Sequence, residues 1–148
     1  MATKEAAIKA KLTGSSAWTT LVTGGTFIWD DLGRNGLDQE AAVTQGCYDT
    51  AGKLKLTAVI TFGTASEREI LKSQRQFFRV FLYHDNSYPL IRQAVRLAYD
   101  TLNAQQVAAD AVGSPLIRWV DDMQEYVADE LDGAMAGGGR FYCQFSRK

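Results

Sequence analysis

Two prolines, two cysteines and one histidine are all that 148 residues hold of three residue types on which much protein chemistry depends. The two cysteines, Cys47 and Cys143, lie far apart with no CxxC spacing near either, so no thiolate metal motif is present. One disulfide between them is conceivable on count alone, but a cytoplasmic pair of thiols is the plainer reading. Net charge is also scarce. Sixteen Lys and Arg face seventeen Asp and Glu, for a net charge of -1. With a pI near 5.8 there is no excess of positive charge to displace counterions from phosphates, which argues against nucleic acid as a main ligand. No run of about 18 apolar residues occurs, which excludes a spanning helix, and the opening MATKEAAIKAKL has no apolar signal core. The lone histidine, His84, has no GxSxG elbow or comparable nucleophile motif to serve.

What is present is concentrated between Gln74 and Gln105. QRQFFRVFLYH alternates, with Phe77, Arg79, Phe81 and Tyr83 on one face and Phe78, Val80, Leu82 and His84 on the other, as in a strand buried on both sides. The period then changes. Asp85, Asn86 and Ser87 form turns, and Pro89 fits a first helical turn, where its missing N–H has no partner to lose. Ile91, Val95, Ala98 and Leu102 follow on one helical face, with Arg92, Arg96, Asp100 and Asn103 largely off it. This is a helix laid on a sheet.

Around this core, Thr3 caps a short helix with an Ala7, Ile8, Leu12 stripe, closed by Gly14. Trp18–Val22 reads as a strand, followed by a Gly24-Gly25 turn and a strand over Thr26–Trp29. Asp30–Lys53 holds Gly33, Gly36, Gly46 and Gly52 with no sustained period, and reads as a long functional or mobile loop. Leu54–Phe62 is a strand by its β-branched content, and Gly63–Ser66 turns the chain back. Ser66 to Glu69 matches a capping box, but a long hairpin from about Glu69 into the Phe77–His84 strand is favoured. A small-residue linker spans 106–115. Leu116–Asp122 and Glu125–Leu131 read as two strands, and Gly139–Phe145 as a closing strand on which Cys143 packs with Phe141 and Phe145. The fold expected is α+β, one domain over residues 1–148, with an antiparallel or mixed sheet and helices on one face.

Candidate sites are few. His84 reads as a partly exposed strand-end residue. The pairs Asp30-Asp31 and Asp121-Asp122 lack the oxygen spacing of a calcium loop, and strand neighbours point to opposite faces. Gly137-Gly138-Gly139 precedes a strand rather than a helix, so it reads as a hairpin turn and not a phosphate cradle. Arg34, Arg75, Arg79, Arg118 and Arg140 look scattered along the chain. Arg79 and Arg118 interrupt apolar strands, and so either face solvent or pair with a carboxylate across an interface. Trp18, Trp29 and Trp119 are most simply core, although tryptophan is also enriched at binding hot spots.

In this order the short helix, long loop, LKLTAVITF, QFFRVFLYHDNSYPLIRQAVRLAYDTLN, LIRWVDDMQEYVADELDGA and RFYCQFSRK resemble the tail terminator and tail completion proteins of long-tailed bacteriophages. The resemblance rests on the whole layout and covers most of the chain. It implies a non-enzymatic virion protein with no cofactor or metal, assembled in the host cytoplasm. It also implies a homohexameric ring at the head–tail junction, on the last ring of the tail tube. The partners implied are further copies of itself, the major tail tube protein and a head–tail connector or neck protein. DNA passes only as cargo, and no membrane is involved. Interface residues expected on that basis are Asp30, Asp31, Arg34 and Asp49 of the loop, with Arg79, Arg118 and Arg140 of the strands. Other readings are another neck or head-completion subunit, a dimeric α+β ligand-binding module, and a ferredoxin-like enzyme using His84 with nearby carboxylates.

Overall fold

The computed structural model describes residues 4–29, 32, 45–68, 73–105, 116–128 and 133–146. Helix α1 (Lys4–Thr13) buries Ala7, Ile8 and Leu12, the expected stripe; its expected cap, Thr3, lies outside the described residues. Trp18–Val22 is not a strand. Ser15 accepts the Trp18 N–H at 3.4 Å and caps a six-residue helix, α2 (Ser16–Leu21). A side-chain acceptor at the N-cap thus outweighs the β-propensity of Trp18, Thr19 and Thr20. Trp18 is then fully buried, its indole N–H donating to Thr26 Oγ1 at 2.8 Å.

Five strands follow: β1 (Gly25–Ile28), β2 (Thr57–Arg68), β3 (Ser73–His84), β4 (Leu116–Ala128) and β5 (Ala134–Ser146), with α3 (Tyr88–Leu102) between β3 and β4. They form one sheet in the order β1-β2-β3-β5-β4. β1 runs parallel to β2 and every other neighbouring pair is antiparallel, so the sheet is mixed and the α+β expectation holds. The three α-helices among the described residues pack on one face. Ser87 caps α3 by accepting the Leu90 N–H at 3.3 Å, and Ile91, Ala94, Ala98 and Leu102 are its buried residues. They meet Ile60, Phe78, Val80, Leu82, Ile117 and Phe141 of the sheet in one core. An aromatic row crosses four strands within that core. Phe62 stacks on Phe78 at 5.0 Å and Phe78 on Phe141 at 5.2 Å; Trp119 then meets Phe141 edge-on at 5.0 Å.

Three strand expectations change. Gly63–Ser66 does not turn the chain; β2 continues through it to Arg68, and a bulge between Phe62 and Ala65 absorbs the extra residue. The hairpin to β3 is present, its tip at 69–72 lying outside the described residues. The strands expected at Leu116–Asp122 and Glu125–Leu131 are one 13-residue strand as far as Ala128, β4, whose period is interrupted by register shifts at Trp119/Asp121 and Met123/Tyr126; 129–131 lie outside the described residues. Gly137–Gly139 is the middle of β5, not a turn. A methyl group on Gly137 would lie 2.9 Å from Ile91 Cγ2, and one on Gly139 would lie 2.6 Å from the Trp119 ring. The glycines let α3 and Trp119 approach the sheet backbone, a packing demand from residues far away in sequence.

Candidate interface on the open face of the sheet

The face opposite the helices divides in two. At one end the chain from Gln45 to Leu54 lies over it. A short 3-10 turn (Gln45–Cys47) and a Tyr48–Leu54 bridge place Cys47 and Leu54 against Val59, Tyr83, Ala128, Ala134 and Ala136. Cys47 is fully buried there and burial pushes its thiol upward in pKa, so it packs as a small apolar residue. Cys143 is likewise buried and outside any disulfide, on the helix face, its Sγ donating to the Gln76 carbonyl at 3.7 Å. Asp49 is engaged within its own turn, Oδ1 accepting the N–H groups of Ala51 and Lys53 at 2.9 Å each.

No described segment lies over the other end, which carries the arginines. The β3–β5 register sets Phe77 opposite Tyr142 and Arg79 opposite Arg140, and the β4–β5 register sets Arg118 opposite Tyr142. Arginines that look scattered in sequence therefore meet on one face. Phe77 is 43% exposed and its ring meets Tyr142 edge-on at 6.0 Å. Arg140 makes a two-pronged contact with Asp121, Nε donating to Oδ1 at 2.6 Å and an η-nitrogen to Oδ2. That hydrogen bonding holds the Asp121 carboxyl below its usual range, and Arg79 adds to the effect. Arg79 and Arg118 are exposed and form no ion pair among the described residues. Like charges directly opposite on a ladder are unfavourable, so the Arg79/Arg140 pair is tolerated with Asp121 alongside. Asp30, Asp31 and Arg34 lie outside the described residues, as does the side chain of Arg75.

The sequence carries a signal for this patch. Phe77-x-Arg79 on β3 and Arg140-x-Tyr142 on β5 have aromatic and arginine at a spacing of two, in mirrored order, as an antiparallel pair requires to match like with like. Recognising it needs the register, which no local pattern supplies.

The remaining candidates fall elsewhere. Asp122 points to the helix side, where it lines a groove of about 470 Å³ with Ile91, Val95, Trp119 and Met123, bordered by the Arg92–Glu125 ion pair at 2.7 Å. No group of three or more His, Cys, Asp or Glu able to hold a metal is found among the described residues. His84 closes the turn into α3, its Nδ1 accepting the N–H groups of Asn86 and Ser87 at 3.1 Å each. Trp119 is half-buried, but Trp29 is 53% exposed and is not core. No described helix is long and apolar enough to cross a membrane.

No family model and no curated protein matches the sequence. The fold does have a solved counterpart. It is similar to a chain in the virion of a native gene transfer agent particle, with a TM-score of 0.65 over 97% of this chain and 94% of that one. Identity is 9%, so the likeness establishes a shared fold and nothing finer.

Proposed function

We propose that this chain is a structural virion protein acting as a tail terminator: a ring of six copies that caps the tail tube, stops its polymerisation and offers the surface to which the head attaches. The observation that carries the reading is the fold-wide likeness to a virion chain, end to end in both molecules. The sequence layout points the same way. So does an open face whose exposed part is aromatic and arginine-rich, the composition of protein interface centres. The described surface has no convergent set of nucleophile, base and oxyanion donors that would favour an enzyme instead.

A terminator must bind tube ends rather than tube walls, and a ring does so by turning weak subunit contacts into avidity. Particles made without the protein are expected to carry overlong tails not joined to heads. Added to polymerising tube protein, it is expected to arrest growth at substoichiometric amounts. Normal-length tails lacking only head attachment would reassign the chain to the neck. Native mass and negative-stain imaging of the purified protein test the ring directly.

A further inference from the structure

The sheet ends in two unlike edges. On one side β1 pairs only with Thr57–Ile60, and no described strand lies outside β2 from Thr61 to Arg68. On the other side β4 is the terminal strand. Its beginning is closed by the end of α3. Ala104 donates its N–H to the Ile117 carbonyl and Ile117 donates to the Gln105 carbonyl, both at 2.8 Å, while Trp119 donates to Asn103 Oδ1 at 2.9 Å. From Val120 to Val127 no described residue pairs with the outer backbone, and Val120, Tyr126 and Val127 are exposed.

A long edge of unpaired N–H and C=O groups is a template for another strand. Strand sense decides which one fits. β4 is antiparallel to β5, β5 to β3, and β3 to β2, so β4 and β2 run in opposite senses. A rotation about an axis lying along the strands preserves each strand's sense. It therefore brings the β4 edge of one copy against the β2 edge of the next as an antiparallel pair, with the helices of both on the same side. We propose that copies of this chain join edge to edge in this way, Val120–Val127 of one against β2 beyond Ile60 of the next, continuing the sheet from subunit to subunit. The contact is heterologous, so it closes a ring where a twofold contact would stop at a dimer. It rests on the ring reading above and names the surface that closes the ring.

Proline tests the contact. Tyr126, Val127 and Ala128 pair regularly with Ala136, Met135 and Ala134, and successive N–H groups on a regular strand point to opposite edges. Of Tyr126→Pro and Val127→Pro, one therefore removes an outward N–H and spares the β5 ladder. The variant that keeps the native circular dichroism and melting is expected to be monomeric by native mass where the unaltered chain forms rings. Hydrogen exchange of the unaltered protein gives a readout independent of any variant: amides at 120–127 are expected to exchange more slowly in the ring than in the diluted monomer. A folded proline variant that still forms rings, or edge amides equally fast in both states, overturns the edge contact and leaves the ring reading standing. An unaltered chain that stays monomeric or stops at a dimer, even when mixed with tail tube ends, removes the ring reading and this contact together.

Discussion

Along β3, Phe78 has almost no solvent contact, while its neighbour Phe77, pointing to the other face, is 43% exposed. The same contrast runs across β5, where Phe141 is fully buried between Phe78 and Trp119 but Tyr142 flanks the arginines. One face is filled to helix contact, to the point that Gly137 and Gly139 make room for α3 and Trp119. Among the described residues, the other is covered where Leu32, Cys47 and Leu54 lie over it. The helix face is therefore where stability resides. The arginine-bearing end of the open face is available for work outside the fold, because removing its side chains uncovers little that folding had buried.

The largest effect expected from this division is on the helix face. Phe78→Ala should cost about 3–5 kcal/mol, the range for a buried phenylalanine, whereas Phe81→Ala on the open face should cost clearly less, since Phe81 is only half-buried. Denaturant titration of both variants compares them directly. Equal losses would mean that the loop cover is as much core as the helices are.

Next in size is the close approach of α3. Gly137→Ala puts a methyl group 2.9 Å from Ile91 Cγ2, and overpacking of this kind costs about 1–3 kcal/mol. Thermal melts of Gly137→Ala and of the double variant Gly137→Ala/Ile91→Val separate steric crowding from backbone effects. Partial recovery in the double variant is the expected result.

How much of this was readable beforehand follows from the range of the forces involved. α1, β3 and α3 were legible because each buries a face at a regular period, and the period is local. α2 is hidden in the sequence because the β-propensity of Trp18, Thr19 and Thr20 masks the start signal at Ser15, three residues before Trp18. The Gly137–Gly139 triplet looks like a turn in sequence because its packing reason, Ile91 and Trp119, lies on other elements. β4 was split because two bulges broke its alternation. The arginine patch was visible residue by residue but not as a patch, since register places Arg79 beside Arg140.

On the arginine-bearing end, Arg79→Ala and Arg118→Ala should leave stability within about 0.5 kcal/mol of the parent. Arg79→Ala should lie on the favourable side, because it relieves the like-charged pair with Arg140. Both should reduce the yield of infectious particles. Denaturation and particle titres measured together decide the matter. A large stability loss would move the patch into the fold, and unchanged titres would remove it from the interface.

The smallest effect belongs to His84, where the two faces meet the turn into α3. Its Nδ1 accepts two backbone N–H groups and must be unprotonated to do so. Burial lowers its pKa below the ordinary value of 6.5, with Asp85 pulling the other way. A depressed pKa means that the neutral form is the one the fold favours. The contribution is thus fully present above the unfolded pKa and is lost as pH falls through the lower folded value. Stability should accordingly decline modestly between neutral and mildly acidic pH, and His84→Gln, which cannot titrate, should remove the His84 contribution to that decline. Because the residue serves the turn and not a reaction, the same variant should assemble infectious particles at neutral pH. Loss of particles from a His84→Gln protein that folds normally would give the imidazole a role beyond capping, and would count against the structural reading of the whole chain.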